Sequence, residues 1–207
     1  MKKISQKNAG YTIIETMISV SLFIIITVAG MGALLSANFV HKKSQDMRSI
    51  MDNLNFVMED ISRNLRTGYN YRCYNISQSL TGDSAINISR SCGNGWALAF
   101  EHTFGNPNDN IDQWVYFIGG DGKIYKSTNN AVGGIDNFVQ LTPNEIIITG
   151  NVDGVQVSGF SVLGAEPPPG NSQQPFVIIK LVGKITFKDV VTPFSLQTSI
   201  SQRLIDI

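Results

Sequence analysis

The chain has 207 residues, 43% of them hydrophobic, with Lys plus Arg and Asp plus Glu equal at 16 each. That is enough for one domain with its own core plus an appendage, and it requires no disulfide to fold. The zero formal charge leaves no summed field that would draw nucleic acid, an anionic membrane face or an acidic substrate.

The first element is cationic and short: Lys2, Lys3 and Lys7 precede the small residues Ala9 and Gly10. From Ile13 to Ala37 the only ionisable side chain is Glu15, in a run of 25 residues. About 20 apolar residues suffice to cross a bilayer core as a helix, and the basic flank places the amino terminus in the cytoplasm and the remainder outside it. A secretory signal is cut after its apolar part, whereas here the small residues come before it, so cleavage there leaves the helix on the mature protein. A lone carboxylate near the end of a membrane helix costs several kcal/mol unless it is paired, protonated or drawn to the interface. If Gly10 is the cut, the nearest new cation is the α-amine of Tyr11. An uncleaved signal anchor with Glu15 at the lipid headgroups is the plain alternative, and ordinary signal cleavage near Ala29 or Ala33 is another. Gly30 and Gly32 interrupt the run late, either softening the helix or allowing close packing beside Ala29 and Ala33.

The Lys-rich leader, Gly10-Tyr11-Thr12-Ile13-Ile14-Glu15 and the apolar helix together resemble the signal of type IV prepilins and pseudopilins. The resemblance implies cleavage after Gly10 and methylation of the Tyr11 amine by a prepilin peptidase. It also implies that Glu15 attracts the amine of a neighbouring subunit and sets the register of a filament. Tyr11 departs from the Phe or Met usual in that family. The closing segment Phe194-Ser-Leu-Gln-Thr-Ser-Ile-Ser-Gln-Arg203 looks like the end of J-type minor pseudopilins of type II secretion and of W-type minor pilins, which favours a minor subunit.

Beyond Ala37 the pattern becomes amphipathic without a stop. Met47, Ile50, Met51, Leu54, Val57, Met58, Ile61 and Leu65 recur at spacings of three and four, Glu59 and Arg63 form a favourable four-residue pair, and Thr67-Gly68 supplies a stop. One helix from about Tyr11 to Thr67 is expected, roughly 85 Å long at 1.5 Å per residue, its methionine-rich stripe packed on its own domain. Lys42 and Lys43 mark a solvated exit from the bilayer. Tyr69, Tyr71, Arg72 and Tyr74 read as a cap on the junction between helix and head. Cys73 and Cys92, outside the cytoplasm, read as one disulfide closing a surface loop.

From Cys92 the period changes to two. Strands are expected at Trp96–Phe100, Gln113–Ile118 and Lys123–Lys126, the latter two joined by the turn Gly119-Gly-Asp-Gly122. Others are expected at Phe138–Leu141, Glu145–Thr149, Val152–Leu163 with glycine interruptions, Phe176–Lys188 and Phe194–Leu204. In the last of these, Phe194, Leu196, Thr198 and Ile200 face one way, as in a half-buried antiparallel strand. Glu166-Pro-Pro-Pro-Gly170 reads as a stiff spacer.

Chemistry is sparse. His41 and His102 keep no company that suggests a triad or a zinc site, and Gly119–Gly122 and Gly133-Gly134 are turns rather than phosphate loops. The loop Gly105–Asp112 is dense in the oxygens calcium takes but lacks the EF-hand pattern, and its Asn, Asp and Gly residues suit turns in any case. No catalytic residue, metal or cofactor is assigned. The expectation is an α+β protein of four segments: a cleaved leader at 1–10, a transmembrane helix at 11–37, its amphipathic continuation at 38–67, and an extracytoplasmic β-rich head at 68–207. Its partners would be a prepilin peptidase, other major and minor pilins or pseudopilins, and inner-membrane lipid before assembly, with no nucleic acid and no small-molecule substrate. The rival is an anchored extracytoplasmic binding protein that does not polymerise.

Overall fold

The structure is a computed structural model that describes residues 10–75, 80, 88–106, 108–109, 111–129, 137–167, 169, 171–187 and 190–203. The cationic leader and the Gly133-Gly134 turn lie outside the described residues. The chain divides into two compact units, Met1–Arg48 and Ser49–Ile207. One helix, α1, runs Ile13–Thr67, as the unbroken periodicity and the absence of proline before residue 107 require.

Within the second unit, α1 buries Ile50, Leu54, Val57, Met58, Ile61 and Leu65. This is the expected apolar stripe without Met47 and Met51, which are half-buried, and Met58 fills core. Glu59 and Arg63 pair at 3.3 Å on the exposed side. Twelve strands follow among the described residues: β1 (Tyr69–Tyr74), β2 (Cys92–Gly95), β3 (Ala97–Glu101), β4 (Trp114–Ile118), β5 (Ile124–Ser127), β6 (Val139–Gln140), β7 (Ile146–Ile148), β8 (Asn151–Val152), β9 (Val155–Gln156), β10 (Gly159–Leu163), β11 (Phe176–Phe187) and β12 (Val190–Ser201). One antiparallel sheet has the order β1-β3-β4-β5-β6, and a second has β12-β11-β10-β2 with β7 also on β11. The architecture is therefore α+β, with one long amino-terminal helix and antiparallel sheets.

Both faces of the first sheet are covered, so β3 is buried throughout. On one face Tyr74, Ala97, Ala99, Val115 and Phe117 form a core cluster, joined by Trp96, Tyr125 and Phe138. On the other, α1 passes over β4 and β5: the Asn64 amide donates to the Tyr116 hydroxyl at 3.0 Å, and Lys126 meets Asp60 at 3.6 Å. The aromatic cluster after the helix does cap it, because the buried Tyr71 hydroxyl reaches the carbonyls of Leu65 and Gly68, the latter at 3.0 Å. That cluster is also strand β1, an element its polar aromatics concealed. Gly68 lacks the left-handed conformation of a helix stop; a side chain there would instead collide with the Phe100 ring. The left-handed residue is Asn70, at φ 53°, where β1 bulges against β3.

Two further segments differ from expectation. Val152–Leu163 is not one strand. Asp153 and Gly154, at φ 50° and 79°, make the two-residue turn of the β8–β9 hairpin, and β10 starts only at Gly159. Strand β2 was invisible because Cys92-Gly-Asn-Gly95 has no apolar alternation; it exists through pairing with Phe160 and Val162 of β10. By contrast β12 shows the expected alternation, with Phe194 and Ile200 buried and Ser195, Gln197, Ser199 and Ser201 exposed. It begins earlier than expected, and Pro193 is accommodated because β12 is an edge strand.

Cys73 and Cys92 are bonded, with Cα atoms 5.6 Å apart. The bridge does more than close a surface loop, since it ties edge strand β1 of one sheet to edge strand β2 of the other, and Cys73 is fully buried. Gly95 must be glycine here, because any side chain would strike the Cys73 sulfur and, at 2.7 Å, the Tyr74 carbonyl. With 19 residues separating the cysteines, the paired substitution Cys73→Ser, Cys92→Ser is expected to cost about 3 kcal/mol by chain entropy. A urea unfolding curve of the oxidised protein against the variant checks this; coincident midpoints would refute it.

Candidate assembly site on the amino-terminal helix

Thr12 is the N-cap of α1: its hydroxyl oxygen accepts the Glu15 N–H at 3.3 Å, and its carbonyl accepts the first helical bond from Thr16 at 3.2 Å. Glu15 thus stands at the third helical position, where an acidic residue suits both a capping box and the positive end of the helix dipole. Gly10 and Tyr11 precede the helix in irregular backbone, Tyr11 is 82% exposed, and no atom lies within 4 Å of where a Gly10 side chain would begin. Among the described residues the Gly10–Tyr11 peptide bond is sterically open.

From Ile13 to Val40 every large apolar side chain is exposed. A continuous apolar surface of this extent marks contact with lipid or protein, and the helix is long and apolar enough to cross a membrane. Four hydroxyls on it are satisfied within the helix. Thr16 donates to the Ile13 carbonyl at 2.8 Å, Ser19 to that of Glu15 at 2.8 Å, Ser21 to that of Met17, and Thr27 to that of Phe23 at 2.7 Å. Such back-bonding spares these four hydroxyls a need for water, as a hydrocarbon environment demands. Beside Gly30 and Gly32 lies open space, so a neighbouring helix has room to approach there.

Elsewhere the sequence-expected residues fall as follows. His102 stacks on Trp114 with ring centroids 4.1 Å apart, and burial together with nearby Lys126 lowers its pKa. It is part of an aromatic stack. Among the described residues no group of three or more His, Cys, Asp and Glu is arranged to hold a metal. The loop after β3 nevertheless folds over a residue that pattern reading passed by. Glu101, at the end of β3, is 0% exposed, and burial pushes its carboxyl up to about 7, the Gln113 side chain opposing the shift while Asp112 and Asp109 reinforce it. The signal was present as a charge closing the apolar run Trp96-Ala-Leu-Ala-Phe100. Comparison with protein-family models, with curated proteins and with solved structures finds no match.

Proposed function

We propose that the chain is a structural subunit of a type IV filament, a minor pilin or pseudopilin inserted in the inner membrane with its head outside the cytoplasm. The observation that carries the reading is the coincidence of an open Gly10–Tyr11 bond, Glu15 in the first helical turn, and an apolar helix exposed all round. In this reading a prepilin peptidase removes residues 1–10 and methylates Tyr11. The helix then leaves lipid for a bundle of like helices, and Glu15 meets the α-amine of a neighbouring subunit, offsetting the cost of carrying a carboxylate into an apolar core. The head, stapled by Cys73–Cys92, contacts other major and minor subunits in an initiating or tip complex. It performs no catalysis.

The test is the intact mass of the protein from membranes made with and without a prepilin peptidase. Loss of residues 1–10 with gain of one methyl group, only when the peptidase is present, is the expected result. A full-length mass despite active peptidase, or cleavage beyond Gly30, would refute it. One observation favours a second reading, a membrane-anchored binding protein: the Thr12 cap gives Glu15 a use within its own helix, without any neighbouring subunit.

A further inference from the structure

Glu101, Asp112 and Gln113 act on one another, and each carries side-chain oxygen with nothing to bond. Both carboxylate oxygens of Glu101, Oδ1 of Asp112 and Oε1 of Gln113 are buried without a hydrogen-bond partner. Gln113 lies near enough to favour the ionised Glu101, yet its geometry falls short of a hydrogen bond to either carboxylate oxygen. Nearby donors are spent elsewhere: the Tyr69 hydroxyl donates to the Gly105 carbonyl at 3.2 Å, and the Asn106 N–H donates to the other oxygen of Asp112 at 2.7 Å. The carboxylate is aimed into the loop, because a side chain on Gly105 would collide with its Oε1. Among the described residues no cation is one of the groups that act on Glu101, and its charged neighbours are the carboxylates of Asp112 and Asp109.

Buried acceptors left unbonded cost about 1–3 kcal/mol each, more when charged, so this arrangement implies an occupant. A proton shared between Glu101 and Asp112 bonds two of the four oxygens and leaves the other two as they were. A hard divalent cation takes all four. The donor set holds no nitrogen or sulfur, which disfavours zinc. Magnesium keeps several waters and wants regular octahedral geometry, whereas calcium accepts six to eight irregular oxygens, including amides and backbone carbonyls. We infer that the end of β3 and the start of β4 hold a calcium site, with Glu101, Asp112 and Gln113 as side-chain ligands and water completing the shell. With only two carboxylates in direct contact the dissociation constant is expected on the order of 0.1–1 mM, the range of extracellular modules. The site belongs to the head and does not depend on filament assembly.

Full-length protein in detergent micelles, stripped with a chelator, is titrated with terbium, whose emission Trp114 sensitises from the residue next to Gln113. The expected result is emission displaced by millimolar calcium but not by equal magnesium, and a calcium-dependent rise in Tm. Glu101→Gln is expected to weaken calcium by at least about tenfold, since ligand charge sets affinity in such sites. Should that variant lack the near-ultraviolet dichroism of a folded head, Asp112→Asn carries the same test. Folded protein showing neither displaceable emission nor a calcium-dependent Tm would overturn the inference in favour of a protonated Glu101. Calcium affinity unchanged in both variants would overturn it as well, by placing the ion elsewhere.

Discussion

Glu15→Gln is expected to leave the protein in the membrane and cleaved after Gly10, yet to reduce its incorporation into filaments to background. Glutamine serves at the third position of a capping box as glutamate does, so the Thr12 cap and the start of α1 should survive. What the change removes is the charge. For an anchor in lipid that is a gain, because a carboxylate within a membrane helix costs about 2.5–3.5 kcal/mol on insertion scales. For an assembling subunit it is a loss, because the neighbour's amine then enters an apolar bundle without its partner. Shearing filaments from cells that carry the assembly machinery, and comparing the sheared and membrane fractions by immunoblot, reads the difference directly. Normal incorporation of the glutamine variant would confine Glu15 to capping and leave the anchored binding protein as the better account.

The second large effect lies in the head. Leu54→Ala is expected to lower its stability by about 2–5 kcal/mol, the range for truncating a large buried side chain where the cavity cannot collapse. Leu54 is 0% exposed on the face of α1 that meets the sheets. Two residues on, Phe56 is 72% exposed, so Phe56→Ala should change stability by no more than about 0.5 kcal/mol despite deleting the larger side chain. Urea unfolding followed by the fluorescence of Trp96 and Trp114, both in or beside the first sheet, compares the two. Equal midpoints would mean that the helix does not complete the head's core. A domain with a total stability of about 5–15 kcal/mol tolerates the second change easily and the first barely.

These expectations rest on features of unequal legibility. The stripe from Ile50 to Leu65 and the alternation along β12 were readable because each is a local period matched to one buried face. The β4–β5 hairpin was readable because Gly122 supplies the left-handed residue, at φ 74°, where the turn needs it. The glycine interruptions of Val152–Leu163 were readable too, but not that Asp153-Gly154 makes a hairpin turn. β1 and β2 were not readable at all. Their residues are chosen for what lies across the sheet, a disulfide and a bulge, and not for a period of their own.

At the candidate site the division follows the range of the forces. The long apolar helix and its amphipathic continuation to Thr67 depend on contiguous residues, and the sequence alone determined them along with the α+β class. Other features depend on residues far apart in the chain, so only the tertiary structure decided them. The Cys73–Cys92 bridge became a staple between two sheets. Lys123 is buried with its ammonium donating to the carbonyls of Pro143, Asn144 and Ile146. Glu101, which reads in sequence as the polar end of a strand, is sealed by the 105–112 loop with oxygens that no neighbour satisfies. The reason is desolvation. Whether a charged group costs free energy or binds an ion depends on what excludes water around it, and that is settled by packing between segments, which no local pattern encodes.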